Sequence, residues 1–260
     1  MRSSIFPEIG ISLLTLLTYG ILLIGLRKVL TPKAFRNTVL ILLAWAAALT
    51  GLSLKGFFAD FSHLPPRPPL AIFLPLPIVV YVAFSRAGTQ ILKTIPPQGL
   101  IYLQSFRIGV ELLLWLNVTK GLMPVQMSFE GRNFDILSGL LALPVAYYCL
   151  VKKSWPRQII LLYNLAGLAL LLNVMIIAFL SMPTPLRYFH NEPSLALIGQ
   201  FPFIFLPGLL VPLAYTLHIF SLRQYATAPR HNAPAQRPTP PKTPPPTSSS
   251  HAASASNTPQ

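Results

Sequence analysis

Acidic side chains are scarce in this chain. Of 260 residues only 6 are Asp or Glu, against 20 Lys or Arg, and charged residues of either sign make up 10%. A soluble globular domain carries about a quarter, so the composition argues against one. Cysteine is scarcer still. Cys149 stands alone, which excludes a disulfide framework and a cysteine-rich metal site. Set inside an apolar block, it reads as a small core residue. Reaction signatures are missing as well. There is no HExxH and no GxSxG, so zinc-protease and serine-hydrolase chemistry lack their parts. The stretch "FPFIFLPGLLVPLAYTLHIF" holds no lysine for a retinal Schiff base. His218 is the one histidine inside an apolar block, so bis-histidine haem ligation has no second ligand. No metal, no cofactor and no catalytic residue is expected.

What the chain does have is apolar sequence in blocks. Hydrophobic residues reach 53% and come in runs of about 20, the length that crosses hydrocarbon. In lipid every backbone amide must be paired within its own segment, which makes such blocks helical. The expectation is an all-α, polytopic transmembrane bundle of about seven spans, near 7–27, 37–59, 69–85, 100–121, 135–151, 158–181 and 201–221. The first block is no secretory signal, because its positive cluster, Arg27 and Lys28, follows it rather than precedes it. The third, "PPRPPLAIFLPLPIVVYVAFS", carries Pro75 and Pro77 and is short. It is either a bent span or a re-entrant segment.

The net charge of +14 does not point to nucleic acid, since no folded basic domain is present to read bases. The cations sort by side instead. Arg27, Lys28, Lys33, Arg36, Arg86, Lys93, Lys152, Lys153, Arg157, Arg223, Arg230, Arg237 and Lys242 fall in the first, third and fifth connections and the tail, with no acid among them. Glu8, Asp60, Glu130, Asp135 and Glu192 fall on the other side, with only a handful of basic residues. A Lys/Arg excess marks the cytoplasmic face. The N-terminus is expected outside and the C-terminus inside. Residues 1–225 form the membrane domain. Residues 226–260, rich in Pro, Ser and Thr, are expected to be a disordered cytoplasmic tail.

Within "FRIGVELLLWL", Arg107 and Glu111 lie four apart and share one helix face. Gln104 and Trp115 extend that stripe. A lone charge at mid-bilayer costs about 3 kcal/mol, so the expectation is a self-paired Arg107 and Glu111 on a polar seam, or a protonated Glu111. Asn173, near the middle of the sixth block, is placed with Gln104, Arg107 and Glu111 in the seam; it and Asn164 are expected to bond between helices, and His218 is expected to be a satisfied interfacial group. Two readings of the seam stand: a polar site open to a solute, proton or head group, and an ion pair that sets packing. The outer connections are the second place to look. "MPVQMSFEGRNFDIL" packs Glu130, Arg132, Asn133 and Asp135 into six residues, and "PTPLRYFHNEPS" adds Arg187, His190 and Glu192. These either cap a cavity or are solvated connectors. The sequon at Asn117 lies too close to a span end to weigh.

The strings "QSFRIGVE", "FEGRNFDIL", "FLPGLLVPLAYTLHIFSLRQ" and "PTP…NEPS" resemble those of a group of uncharacterised bacterial seven-helix membrane proteins. The resemblance covers about residues 100–224 and implies a bacterial inner-membrane location, with no activity attached. Three functions are ranked. The first is a non-catalytic membrane component, a sensor or accessory subunit with a protein partner. The second is a small-solute or proton-coupled transporter. The third is an intramembrane lipid-modifying enzyme built on Glu130, Asp135, His190 and Glu192. The lipid bilayer is a partner in all three.

Overall fold

The computed structural model describes residues 5–227. The expected disordered tail lies outside the described residues, except that Ala226 and Thr227 close the last helix. Among the described residues the chain is all helix, turn and coil. The helices are α1 (Ile5–Arg27), α2 (Pro32–Leu54), α3 (Pro68–Phe73), α4 (Leu76–Phe84), α5 (Arg86–Thr94), α6 (Pro97–Leu103), α7 (Phe106–Thr119), α8 (Ile136–Val145), α9 (Gln158–Ser181) and α10 (Val211–Thr227). A π-helical turn, Ala146–Val151, prolongs α8, and another, Leu206–Leu210, leads into α10.

Five helical stretches are long and apolar enough to cross a membrane, and six if the bent α3–α5 stretch counts as one. They are α1, α2, Pro97–Thr119, α9 and Leu206–Thr227. The stretch α8 with its π turn, Ile136–Val151, is apolar but shorter. At 1.5 Å per residue it reaches about 24 Å, short of the roughly 30 Å hydrocarbon layer. Many large apolar side chains face outward: Leu16 is 71%, Ile41 68% and Leu162 68% exposed. Water would make such a surface an aggregation liability; lipid would not.

Local chemistry accounts for the boundaries. Helix α2 starts five residues before the expected 37 because Thr31 caps it, its Oγ1 accepting from the Ala34 amide, with Pro32 at the first helical position. It stops before the expected 59 because Gly56 turns into the left-handed region at φ 73°. Pro75 and Pro77 divide the third block into α3 and α4. Ser85 then ends α4 and caps α5, accepting from the Gly88 amide at 2.9 Å, and the chain bends by 78°. The last block begins at Leu206 rather than 201, after the turn that holds Pro202, and runs on to Thr227.

Proline also decides how α1 and α2 dock. Pro212 has no amide hydrogen, so the Gly208 carbonyl one turn earlier lacks its helical donor. Trp45 Nε1 of α2 donates to it at 2.8 Å. Tyr19 of α1 donates to the neighbouring Leu209 carbonyl at 3.0 Å. The polar tips of two apolar side chains thus fasten two otherwise lipid-like helices to the π turn. At the other end of α10, the Gln224 amide donates to the Leu92 and Ile95 carbonyls and anchors α5.

Candidate functional site

A connected set of polar side chains lies inside the bundle, between α7, α8, α9 and α10. Arg107, in the first turn of α7, is 2% exposed. Its guanidinium forks onto Asp135: Nε donates to Oδ2 at 2.7 Å and Nη2 donates to Oδ1. Nη1 donates to Ser138 Oγ at 3.0 Å and meets His218 Nε2 at 2.9 Å. A guanidinium only donates, so His218 Nε2 is the acceptor and the imidazole proton is on Nδ1. That proton goes to Asn164 Oδ1, 2.9 Å away. Asn164 Nδ2 in turn donates to the Ile160 carbonyl and to Ser221 Oγ. One chain of bonds therefore runs from the start of α8 through α7 to α10 and α9.

Glu111 stands one turn beyond Arg107 but does not bond it. Asn133 Nδ2 donates to both its carboxyl oxygens, at 2.8 and 2.9 Å, and also to the Met127 carbonyl. Asn133 Oδ1 accepts from the Asp135 amide at 3.0 Å, a local turn that sets the Asp135 side chain toward Arg107. The self-paired Arg107 and Glu111 expected from their spacing is thus replaced. Each has a partner from the connection before α8, because a fork needs a carboxylate facing it and a side chain on the same helix stands alongside it. One guanidinium and two carboxyl groups share the site, so it is neutral only when one carboxyl holds a proton.

Two glycines make room. A Cβ on Gly139 would lie 2.9 Å from the Ile108 amide nitrogen, so α8 packs backbone-close against α7 and brings Asp135 and Ser138 within reach. A Cβ on Gly167 would lie 2.3 Å from His218 Cε1 and 2.8 Å from Ser138 Oγ. A cavity of about 80 Å³ borders Arg107, Glu111 and Asp135, and its other walls are apolar.

The remaining candidates fall elsewhere. Gln104 is buried and donates to the Ala214 carbonyl at 3.1 Å, tying the end of α6 to α10. Asn173 leaves the seam and donates to the Arg132 carbonyl at 2.9 Å. Arg132 is exposed and stacks over Phe189, 5.4 Å from the ring centre. Glu130 accepts from Trp115 Nε1 at 2.8 Å. Arg187 bonds the Phe189 and Asn191 carbonyls and pairs with Glu192 at 2.9 Å. His190 is exposed. Asn117 is fully buried and donates to the Leu113 carbonyl, which removes it as a glycosylation site. So the outer group divides: Asn133 and Asp135 fold inward and join the seam, while Glu130 and Glu192 make separate contacts and His190 lies at the surface. Among the described residues no group of three or more His, Cys, Asp or Glu is placed to hold a metal.

Ser138, Ser221 and Gly167 carry no sequence signal of their own. His218 and Asn164 did carry one, each being polar in an apolar block, but their mutual bond did not. A family model for a domain of unknown function, DUF8737, matches residues 70–225, more than half of the chain. The chain belongs to the DUF8737 family. Every member of the polar network lies within the DUF8737 match, and α1 and α2 lie before it. No curated protein and no solved structure matches the chain.

Proposed function

We propose that this DUF8737 protein is a multi-pass protein of the bacterial inner membrane, and that it serves as a non-catalytic membrane component, a sensor or accessory subunit, whose buried polar network locks the bundle. On this reading the crossings are seven: the five long helices, the bent α3–α5 stretch, and Ile136–Val151, whose shortfall in length a locally thinned bilayer accommodates. The N-terminus lies outside and the C-terminus inside. The excess of Lys and Arg on one side supports that orientation, and the resemblance to uncharacterised bacterial membrane proteins supports the location.

The observation that carries the non-catalytic reading is the closure of the network. Arg107, Asp135, Glu111 and His218 each find their partners within the chain. The adjoining cavity of about 80 Å³ has room for a few waters. Small-molecule sites run from about 300 to 1,000 Å³. The enzyme reading loses its cluster, because Asp135 is bound to Arg107 while Glu130 and Glu192 hold other partners.

Purified protein in liposomes loaded with a pH dye tests the reading. Wild-type vesicles should pass protons no faster than empty ones. A proton flux that Glu111→Gln abolishes would overturn it in favour of a proton-coupled carrier. That second reading draws on one observation, the contact of the cavity with both carboxyl groups. Orientation is tested on a Cys149→Ala background. Ser194→Cys should react with an impermeant maleimide from outside and Ser154→Cys only after lysis; the reverse result inverts the topology.

A further inference from the structure

We propose that the large groove beside α1 is a binding site for an anionic membrane lipid, its acyl chain lying along α1 and its phosphate at Lys28. The proposal rests on the membrane reading above and concerns a different part of the molecule from the polar network. The groove has a volume of about 1020 Å³ and lies between α1, α2, α6, α7 and α10, at the top of the range for ligand sites. It follows α1 from Leu14 and reaches Lys28, the residue just after that helix, about 20 Å at 1.5 Å per residue, which exceeds half of the roughly 30 Å hydrocarbon layer.

Its walls are aliphatic and aromatic for most of that length, with Leu22, Leu42 and Leu103 among them. Leu17 and Ile21, on its rim, are 57% and 62% exposed. The groove is therefore open sideways, where a chain can enter from the bilayer. Gly25 leaves the wall low near one end, and a Cβ there would meet nothing within 4 Å.

The charge is at that same end. Lys28 is the one charged residue lining the groove. Arg27, Lys33 and Arg36 flank it in sequence, and no acidic residue occurs between Glu8 and Asp60. Among the described residues Lys28 has no ion-pair partner. An apolar trough that ends at an unneutralised cation matches a lipid with a negative head. A zwitterionic head brings no net charge to that cation. Neither a soluble anion nor an apolar helix of a partner uses both features.

Native mass spectrometry of the detergent-purified full chain tests this, with dioleoyl phosphatidylglycerol and dioleoyl phosphatidylcholine as probes of equal chain length. Wild type should retain the glycerol lipid about five-fold better, the weight of one surface cation. Lys28→Gln should level the two. Gly25→Phe should reduce retention of both several-fold, whereas Gly20→Phe, in equally open space outside the groove, should behave as wild type. Equal retention of the two lipids by wild type, or unchanged retention by Gly25→Phe, overturns the proposal. If Gly25→Phe does not fold, Lys28→Gln decides alone. An alkaline wash of the membrane fraction is read first. Release of the protein there sinks the membrane reading and the groove with it. Retention in the membrane without lipid preference sinks the groove only.

Discussion

Replacing Asp135 by Asn is the sharpest test of the buried network. Asn keeps the shape but removes the charge opposite a guanidinium that is 2% exposed. Breaking a buried pair from one side costs about 3–5 kcal/mol, because the remaining charge is left uncompensated. For a chain of this size 1 kcal/mol shifts the melting temperature by about 2–4 °C. Asp135→Asn should therefore melt roughly 6–20 °C lower. Ser138→Ala removes one neutral partner of the same guanidinium. Hydrogen bonds between helices in membranes average about 0.6 kcal/mol, so its shift should be a few degrees at most. Glu111→Gln should also stay small, since Gln Oε1 still accepts from Asn133, leaving one new amide to satisfy at about 1 kcal/mol.

The protein carries its own reporter for this assay. Cys149 is the sole cysteine and is buried, so a maleimide dye that fluoresces on reaction reads the loss of packing as the temperature rises. The double variant Arg107→Gln/Asp135→Asn removes both charges and should recover most of the loss, giving a coupling of about 2–3 kcal/mol. Two results would refute the reasoning. In one, Asp135→Asn melts within 2 °C of wild type. In the other, Glu111→Gln falls as far as Asp135→Asn, which would return the ion pair to the same-helix arrangement.

Gly167→Ala should lower stability by about 1–3 kcal/mol, because its methyl group would push His218 and Ser138 off Arg107; Gly20→Ala, with open space around it, should be neutral or gain up to about 1 kcal/mol in a helix, and melting separates the two. Trp45→Phe deprives the Gly208 carbonyl of its donor and should cost about 1 kcal/mol, with proteolysis between α2 and the rest becoming faster as α2 loosens. Asp60 is outside the long apolar helices, and bonds from Ser62, followed by the Arg67 charge, hold its carboxyl below its ordinary value of 3.8. A lowered value in the fold means the support is complete above about pH 4 and disappears as pH falls through the lowered value. Hydrogen exchange at the Ser62 amide should be slow at pH 5, after correction for intrinsic rates, and lose protection only as pH falls through that lowered value, while Asp60→Asn should show no such step.

Helices were legible because in apolar blocks the backbone satisfies itself. The block at 158–181 coincides with α9, where no proline or capping conflict intervenes. The second block, expected at 37–59, runs from Pro32 to Leu54 instead. Thr31–Pro32 and Gly56 set those ends, and they were visible as residues but outweighed by hydropathy. The bend of the third block was legible from Pro75 and Pro77, although its 78° angle came with the Ser85 cap. Arg107, Glu111, Asn133 and Asp135 stood out in the sequence too, as polar groups in or beside apolar blocks of a chain with few of them.

Which of them bond each other was decided by tertiary structure. Spacing along a helix reports only neighbours on that helix, and so it paired Arg107 with Glu111. The fold instead supplies Asp135 from 28 residues away, because the connection before α8 turns inward and Gly139 lets α8 lie backbone-close to α7. The same closeness at Gly167 admits His218, 111 residues from Arg107, as an acceptor for the guanidinium. The sequence alone determined that buried charge had to be neutralised. Only the packed helices determined by what, since a bidentate fork requires a carboxylate that faces it across a contact no single helix contains.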